Sequence, residues 1–175
     1  MMRPDDPVCK MTTVADIPKF TFRGRRYKNA RVVKIHDGDS MTIAIASPLD
    51  GPDHLVRLTL RLLGIDAADM SRADDRISGR EARRALVEAL GVPIDNDERY
   101  DSEFFDQHDA RVDVLCHDFD KYGRCLAEVS ATGSDRPVNL GLCDTHPDLF
   151  ALWDGNGTRP LRRVDGDGDG DRSTV

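Results

Sequence analysis

Apolar and polar residues alternate along several short stretches of this chain, and that period of two predicts strands. Arg31-Val-Val-Lys-Ile35 and Ser40-Met-Thr-Ile-Ala-Ile45 are the first two, joined by His36-Asp37-Gly38-Asp39. That junction reads as a tight turn in which Gly38 is able to take positive φ. After a second turn, Ser47-Pro-Leu-Asp-Gly-Pro52, a third strand is expected over Leu55–Ile65. Val56, Leu58, Leu60, Leu62 and Leu63 carry its apolar side, and Arg61 faces the other way. Three strands with short turns indicate an antiparallel meander. Arg111–Cys116 and Cys125–Ser130 are two further strands, joined through His117–Arg124, and Phe20, Phe22, Gly24 and Tyr27 read as a strand or hairpin leading in.

One stretch switches to the helical period. Ala82, Ala85, Leu86, Ala89 and Leu90 form a core-facing stripe, Ser78-Gly-Arg-Glu81 reads as a capping box ahead of it, and Gly91 and Pro93 end it. Val138–Cys143 reads as a short helix or strand. Residues 95–110 have no clean period and read as an acidic surface insertion. Residues 1–18 and 156–175 read as disordered arms around one domain over 19–155. Five or six strands around one capped helix is an α+β arrangement, an OB-like five-stranded barrel by count and order. Such barrels commonly bind single-stranded nucleic acid on one face.

Charge alters the partner expected. The formal net charge of −7 argues against a polyanion at face value. Residues 95–110, however, hold seven acids against Arg99 alone, and residues 165–172 hold four Asp against Arg172. The remainder is net +2, and no acid occurs between Asp16 and Asp37, where seven Lys and Arg fall. The body is compatible with DNA or RNA. Four cysteines without framework spacing suggest free thiols in a reducing compartment, and no secretory signal or membrane-length apolar run occurs. A soluble, intracellular, monomeric protein is expected.

The candidate chemistry concentrates in Arg61-Leu-Leu-Gly-Ile-Asp66-Ala-Ala-Asp69. An arginine beside two acids at a strand end can hold a hard metal ion and a phosphate together, and it reads equally as a surface ion-pair cluster. Asp37-Gly38-Asp39 lies in a turn between apolar strands, which can aim a carboxylate. The tail Asp165–Asp171 repeats the same tripeptide without strands and reads as a disordered acidic tail rather than a calcium loop. In Asp120-Lys-Tyr-Gly-Arg124 the glycine permits a sharp turn, and Lys121 and Arg124 can then reach a phosphate. Cys143-x-x-His146 has zinc-ligand spacing but no second pair to match, and the strand cysteines read as small core residues.

In this order the motifs resemble the staphylococcal nuclease (thermonuclease) family. The matching text is Val33-Lys-Ile-His-Asp-Gly-Asp-Ser40, Arg61–Asp69 and Asp120-Lys-Tyr-Gly-Arg-Cys-Leu-Ala127, with a weaker match at Val138-Asn-Leu-Gly-Leu142, so that the resemblance covers roughly residues 28–143. It implies an OB-fold barrel and a calcium-dependent phosphodiesterase, an endonuclease acting on DNA and RNA with single strands preferred. Position by position, it implies Asp39 and Asp66 as calcium carboxylates, with the Ala67 carbonyl as a further ligand. Arg61 and Arg124 would clamp the scissile phosphate, and Lys121 and Tyr122 would contact its neighbour. Asp69 falls where the family carries a glutamate that orients or activates water.

The family's Asp-x-Pro-Glu reads Asp66-Ala-Ala-Asp69 here. Aspartate keeps the charge but is one methylene shorter, and a misplacement of about 1 Å costs about a hundredfold in rate. Two readings from different classes follow. One is an active, slow nuclease; the other is a non-catalytic module that binds nucleic acid or protein on the same barrel.

Overall fold

The computed structural model describes residues 20–68, 70 and 76–153. Strands β1 (Arg26–Asp37), β2 (Ser40–Ser47), β3 (Gly51–Leu62), β5 (Arg111–Phe119) and β6 (Cys125–Ala131) close into a barrel in the order β1-β2-β3-β6-β5. Every pairing is antiparallel except β3 with β6, which is parallel. The interior follows the period of two: Met41, Ile43 and Ile45; Leu58, Leu60 and Leu62; Val112, Val114 and Cys116; Cys125, Ala127 and Val129 are all buried. In β1 the buried Val32 and Ile35 are three apart because the register slips between Val32 and Lys34. A bulge there bends the strand so that its first half pairs with β5 and its second with β2.

The third predicted strand is two. Gly64, at φ 81°, breaks β3 from β4 (Ile65–Ala67), which leaves the barrel and pairs with β7 (Phe150–Leu152). Among the described residues three helices accompany the barrel, where one clear helix and a possible short second are expected: α1 (Arg76–Ala89), α2 (Ser102–Gln107) and α3 (Val138–Thr145). Ser78 lies inside α1 and is not its cap. Its C-terminus follows the sequence closely: Val92 N–H donates to Val87 O, Gly91 N–H donates to Glu88 O, and Gly91 sits at φ 68°. That closure draws Val87 into the core, and the predicted Ala89 is exposed instead.

The acidic stretch 95–110 is not a surface insertion. Tyr100 and Phe105 are buried in the core cluster, Asp101 caps α2 by accepting from the Glu103 and Phe104 amides, and α2 packs on β1. Tyr100 O and Ala110 O accept from Ile35 N–H and Val32 N–H, so the stretch satisfies β1 where no barrel strand does. Asp97, Glu98, Asp106 and Asp109 of the stretch are held by Arg31, Arg80, Arg83, Arg99 and Arg111.

The Val138 stretch resolves as helix, and its Asn139 is a buried strut. Asn139 Nδ2 donates to Leu63 O and Ala127 O at 2.9 Å each, and its Oδ1 accepts from Val129 N–H at 3.1 Å. No helix among the described residues is long and apolar enough to cross a membrane. The arms 1–18 and 156–175, including Asp165–Asp171, lie outside the described residues.

Candidate functional site

The β1–β2 turn, the end of β3 and β4 converge on the Arg61 guanidinium. Ser40 pairs with Arg61 across β2 and β3, which sets Asp39 beside it. Arg61 Nη1 lies 2.7 Å from Asp39 Oδ2, and its Nη2 lies 2.9 Å from Asp66 Oδ1. The Ala67 amide donates to the same Asp39 oxygen at 2.6 Å. Arg61 is only 4% exposed and Asp39 and Asp66 are also buried, so a surface ion-pair cluster does not describe them.

The turn that aims Asp39 is organised by Asp37, whose Oδ1 accepts from Asp39 N–H at 3.2 Å and from Ser40 Oγ at 2.7 Å. Gly38 does not use its freedom to take positive φ. Its role is space. A Cβ there would meet Ala82 Cβ at 2.7 Å and Ala67 Cβ at 2.8 Å, so α1, the turn and β4 approach as closely as they do only because all three residues are small.

Burial pushes the Asp39 carboxyl up to about 7, with Asp37 adding to the rise and Arg61 and the Ala67 amide opposing it. His36, one residue before the turn, shares a 2.9 Å hydrogen bond with Thr42 Oγ1. Burial lowers its pKa, and the charges of Lys34 and Arg124 lower it further against the pull of Asp37.

Arg124 stands one strand away, preceding Cys125, which pairs with Leu60 beside Arg61. Asp120 fixes it: Oδ1 accepts from the Tyr122 and Arg124 amides, and Oδ2 accepts from Arg124 Nε at 2.8 Å. Those bonds hold Asp120 ionised, its pKa lowered despite the opposing burial. Among the described residues neither Nη atom of Arg124 has a hydrogen-bond partner, so the fork end faces outward. Tyr122, 72% exposed, gathers both cations of the turn, with Lys121 Nζ 5.0 Å and Arg124 Cζ 5.5 Å from its ring centroid.

Asp39, Arg61, Asp66 and Ala67 are thus brought together, and Lys121, Tyr122 and Arg124 form a second group at the neighbouring strand end. Asp69 lies outside the described residues. Asp39 and Asp66 offer hard oxygen donors from separate elements around one cationic point, a donor type suited to calcium or magnesium. No three His, Cys, Asp or Glu converge on one point among the described residues, and Cys116 and Cys125 are buried in the barrel.

Trp153 is a participant the sequence reading passed over. Arg61 Cζ lies 5.2 Å from its ring centroid, and its amide donates to Gly64 O. The chain's single tryptophan next to a Phe-Ala-Leu triplet was the available signal. Asp120 is a second such participant, and its signal is an acid four residues before an arginine across a glycine turn, close enough to reach it.

No family model matches the chain, and no curated protein matches it.

Proposed function

We propose that this chain is a calcium-dependent nuclease of the staphylococcal nuclease type, its barrel an OB-fold, hydrolysing phosphodiester bonds in DNA or RNA. The observation that carries the reading is Arg61 bridging Asp39 and Asp66 inside the domain, with the outward fork of Arg124 one strand away. Asp39, Asp66 and the Ala67 carbonyl would hold the ion. Bound there, calcium would supply a Lewis acid for the phosphate oxygens. Arg124, held at Nε by Asp120, presents its remaining donors as a fork suited to two phosphate oxygens. Lys121 and Tyr122 meet the adjacent phosphate. Asp69 holds the water, one methylene short of a glutamate, and makes the enzyme slow.

The engagement of Arg61 with two carboxylates favours a second reading. A buried, internally bridged triad can serve structure alone, and the barrel would then be a module that binds nucleic acid or protein without cutting.

Digestion of single-stranded DNA with calcium or chelator, using wild type, Asp39→Ala and Asp69→Glu, separates the two. Calcium-dependent cleavage, its loss in Asp39→Ala (with the fold checked by thermal melting) and a gain in Asp69→Glu are expected. Cleavage indifferent to chelator and to Asp39 would sink the mechanism. Intact binding with no cleavage would favour the module.

A further inference from the structure

Beside the Asp120–Arg124 turn lies an aromatic cluster that the reading above does not use. Phe22 is buried, and Phe20 and Phe119 each make a T-shaped pair with it, with ring centroids 5.4 Å from its own and interplanar angles of 85° and 81°. The two outer rings remain 53% and 40% exposed. The cluster is anchored to the barrel: Gly24 N–H donates to Cys116 O, Cys116 N–H donates to Arg25 O, and Arg25 Cζ lies 6.0 Å from the Phe22 centroid. The nearby acid, Asp118, is already engaged, accepting from Thr21 Oγ1 at 3.0 Å and pairing with Arg23 at 3.7 Å. Arg25 and Lys121 are exposed and have no ion pair among the described residues.

The barrel register gives the distance to the site. Phe119 pairs with Cys125, and Cys125 pairs with Leu60, the neighbour of Arg61. Two strand spacings, about 10 Å, separate the aromatic edge from the Arg61 strand, with Arg124 between them.

We propose that Phe20 and Phe119 form a stacking platform for unpaired bases of a single nucleic-acid strand whose backbone crosses Arg124, with Arg25 and Lys121 meeting its phosphates. This rests on the nucleic-acid reading of the neighbouring site. The physical case is the pairing of partly exposed aromatic rings with unneutralised cations. A protein segment would find apolar edges here, whereas a single strand matches both the rings and the charge. A rigid, buried Phe22 under the outer rings spares them the ordering cost of free side chains.

The test is fluorescence anisotropy of labelled oligothymidylates of two and eight nucleotides, with chelator so that nothing is cut. Phe119→Ala is expected to weaken the eight-mer about tenfold or more, in keeping with the usual worth of base–aromatic stacking. The two-mer, short enough to stay at Arg124, is expected to bind Phe119→Ala as it binds wild type, and Phe119→Tyr should restore the eight-mer. The proposal is overturned if Phe119→Ala holds the eight-mer like wild type, if both lengths weaken equally, if wild type binds neither, or if the variant alters only self-association in sedimentation. Cleavage with calcium is read separately. Length-dependent loss without cleavage keeps the platform and removes the nuclease, and cleavage with indifferent Phe119 variants does the reverse.

Discussion

A methyl group on Gly38 would press on Ala82 and Ala67 and would lie 3.0 Å from the Ala82 backbone carbonyl carbon, so neither neighbour can swing away as a flexible side chain would. Gly38→Ala should cost about 1–3 kcal/mol by overpacking, read as a fall in the urea midpoint at constant slope; an unchanged midpoint would refute the packing account. Asn139 acts in the opposite sense, by what it supplies. Removing its amide strands the Val129 amide and the Leu63 carbonyl, while Ala127 O keeps its bond from Leu63 N–H, and Asn139→Ala should destabilise by about 2 kcal/mol or more. Asp39 gives stability a pH dependence. In the metal-free protein its carboxyl keeps the proton up to about 7, whereas the unfolded chain releases it near the ordinary aspartate value of 3.8. The folded state therefore binds more protons across that window. Its stabilising contribution is complete below the window and is lost as pH rises through about 7, at up to about 1.4 kcal/mol for each pH unit. Urea unfolding in chelator at pH 5 and pH 8 should show this loss, and Asp39→Asn should flatten it. Because a cation needs the carboxylate, calcium should raise Tm more at pH 8 than at pH 6.

The elements were legible in the sequence to the degree that their order is local. Strands β2, β3, β5 and β6 declare themselves because each alternates over a half-buried surface, and the Arg61 and Asp39 strand ends followed from them. Gly64 announced the break after β3, but where the chain went next depended on a partner 85 residues on, Ala151 lying opposite Asp66. A three-residue strand has too few positions to show a period. Helix α2 was hidden for a related reason: Phe104 and Phe105 are adjacent, one stacking outward with His108 and the other buried. No helical stripe can be read from six residues when the ring contacts decide which side is inside. Since β7 holds β4, it should govern the site without governing the barrel. A chain ending at Leu149 is expected to keep its strand content by circular dichroism and to lose the calcium-induced rise in Tm, while a chain ending at Trp153 keeps both. A full calcium response from the shorter chain would show that β4 holds Asp66 unaided.

At the scale of the molecule, net charge is a poor guide to partner because its acids are locally spent. Asp97, Glu98, Asp106 and Asp109 are tied to arginines of β1, α1 and β5 and to Arg99, Asp101 is spent capping α2, and the cations of the Asp120–Arg124 turn are left facing out. Binding of single-stranded DNA should therefore weaken steeply with salt, at about −0.7 in log K per log salt for each phosphate met. Lys121→Ala should reduce that slope by about one phosphate's worth without altering base preference. A slope unchanged by Lys121→Ala would remove the lysine from the path of the strand.

The β4–β7 pairing also imposes an order in time. All five barrel strands have been synthesised once Ala131 is added, and α3 follows within a few residues. Asp66 and Ala67, made much earlier, have no strand to lie against until Phe150–Leu152 emerges, and Arg61 lacks its tryptophan until one residue later. On the ribosome, the carboxylate centre is thus the last part of the domain to be assembled. A nascent chain can carry a closed barrel while the messenger RNA that encodes it lies close by, with the proposed cutting centre still incomplete.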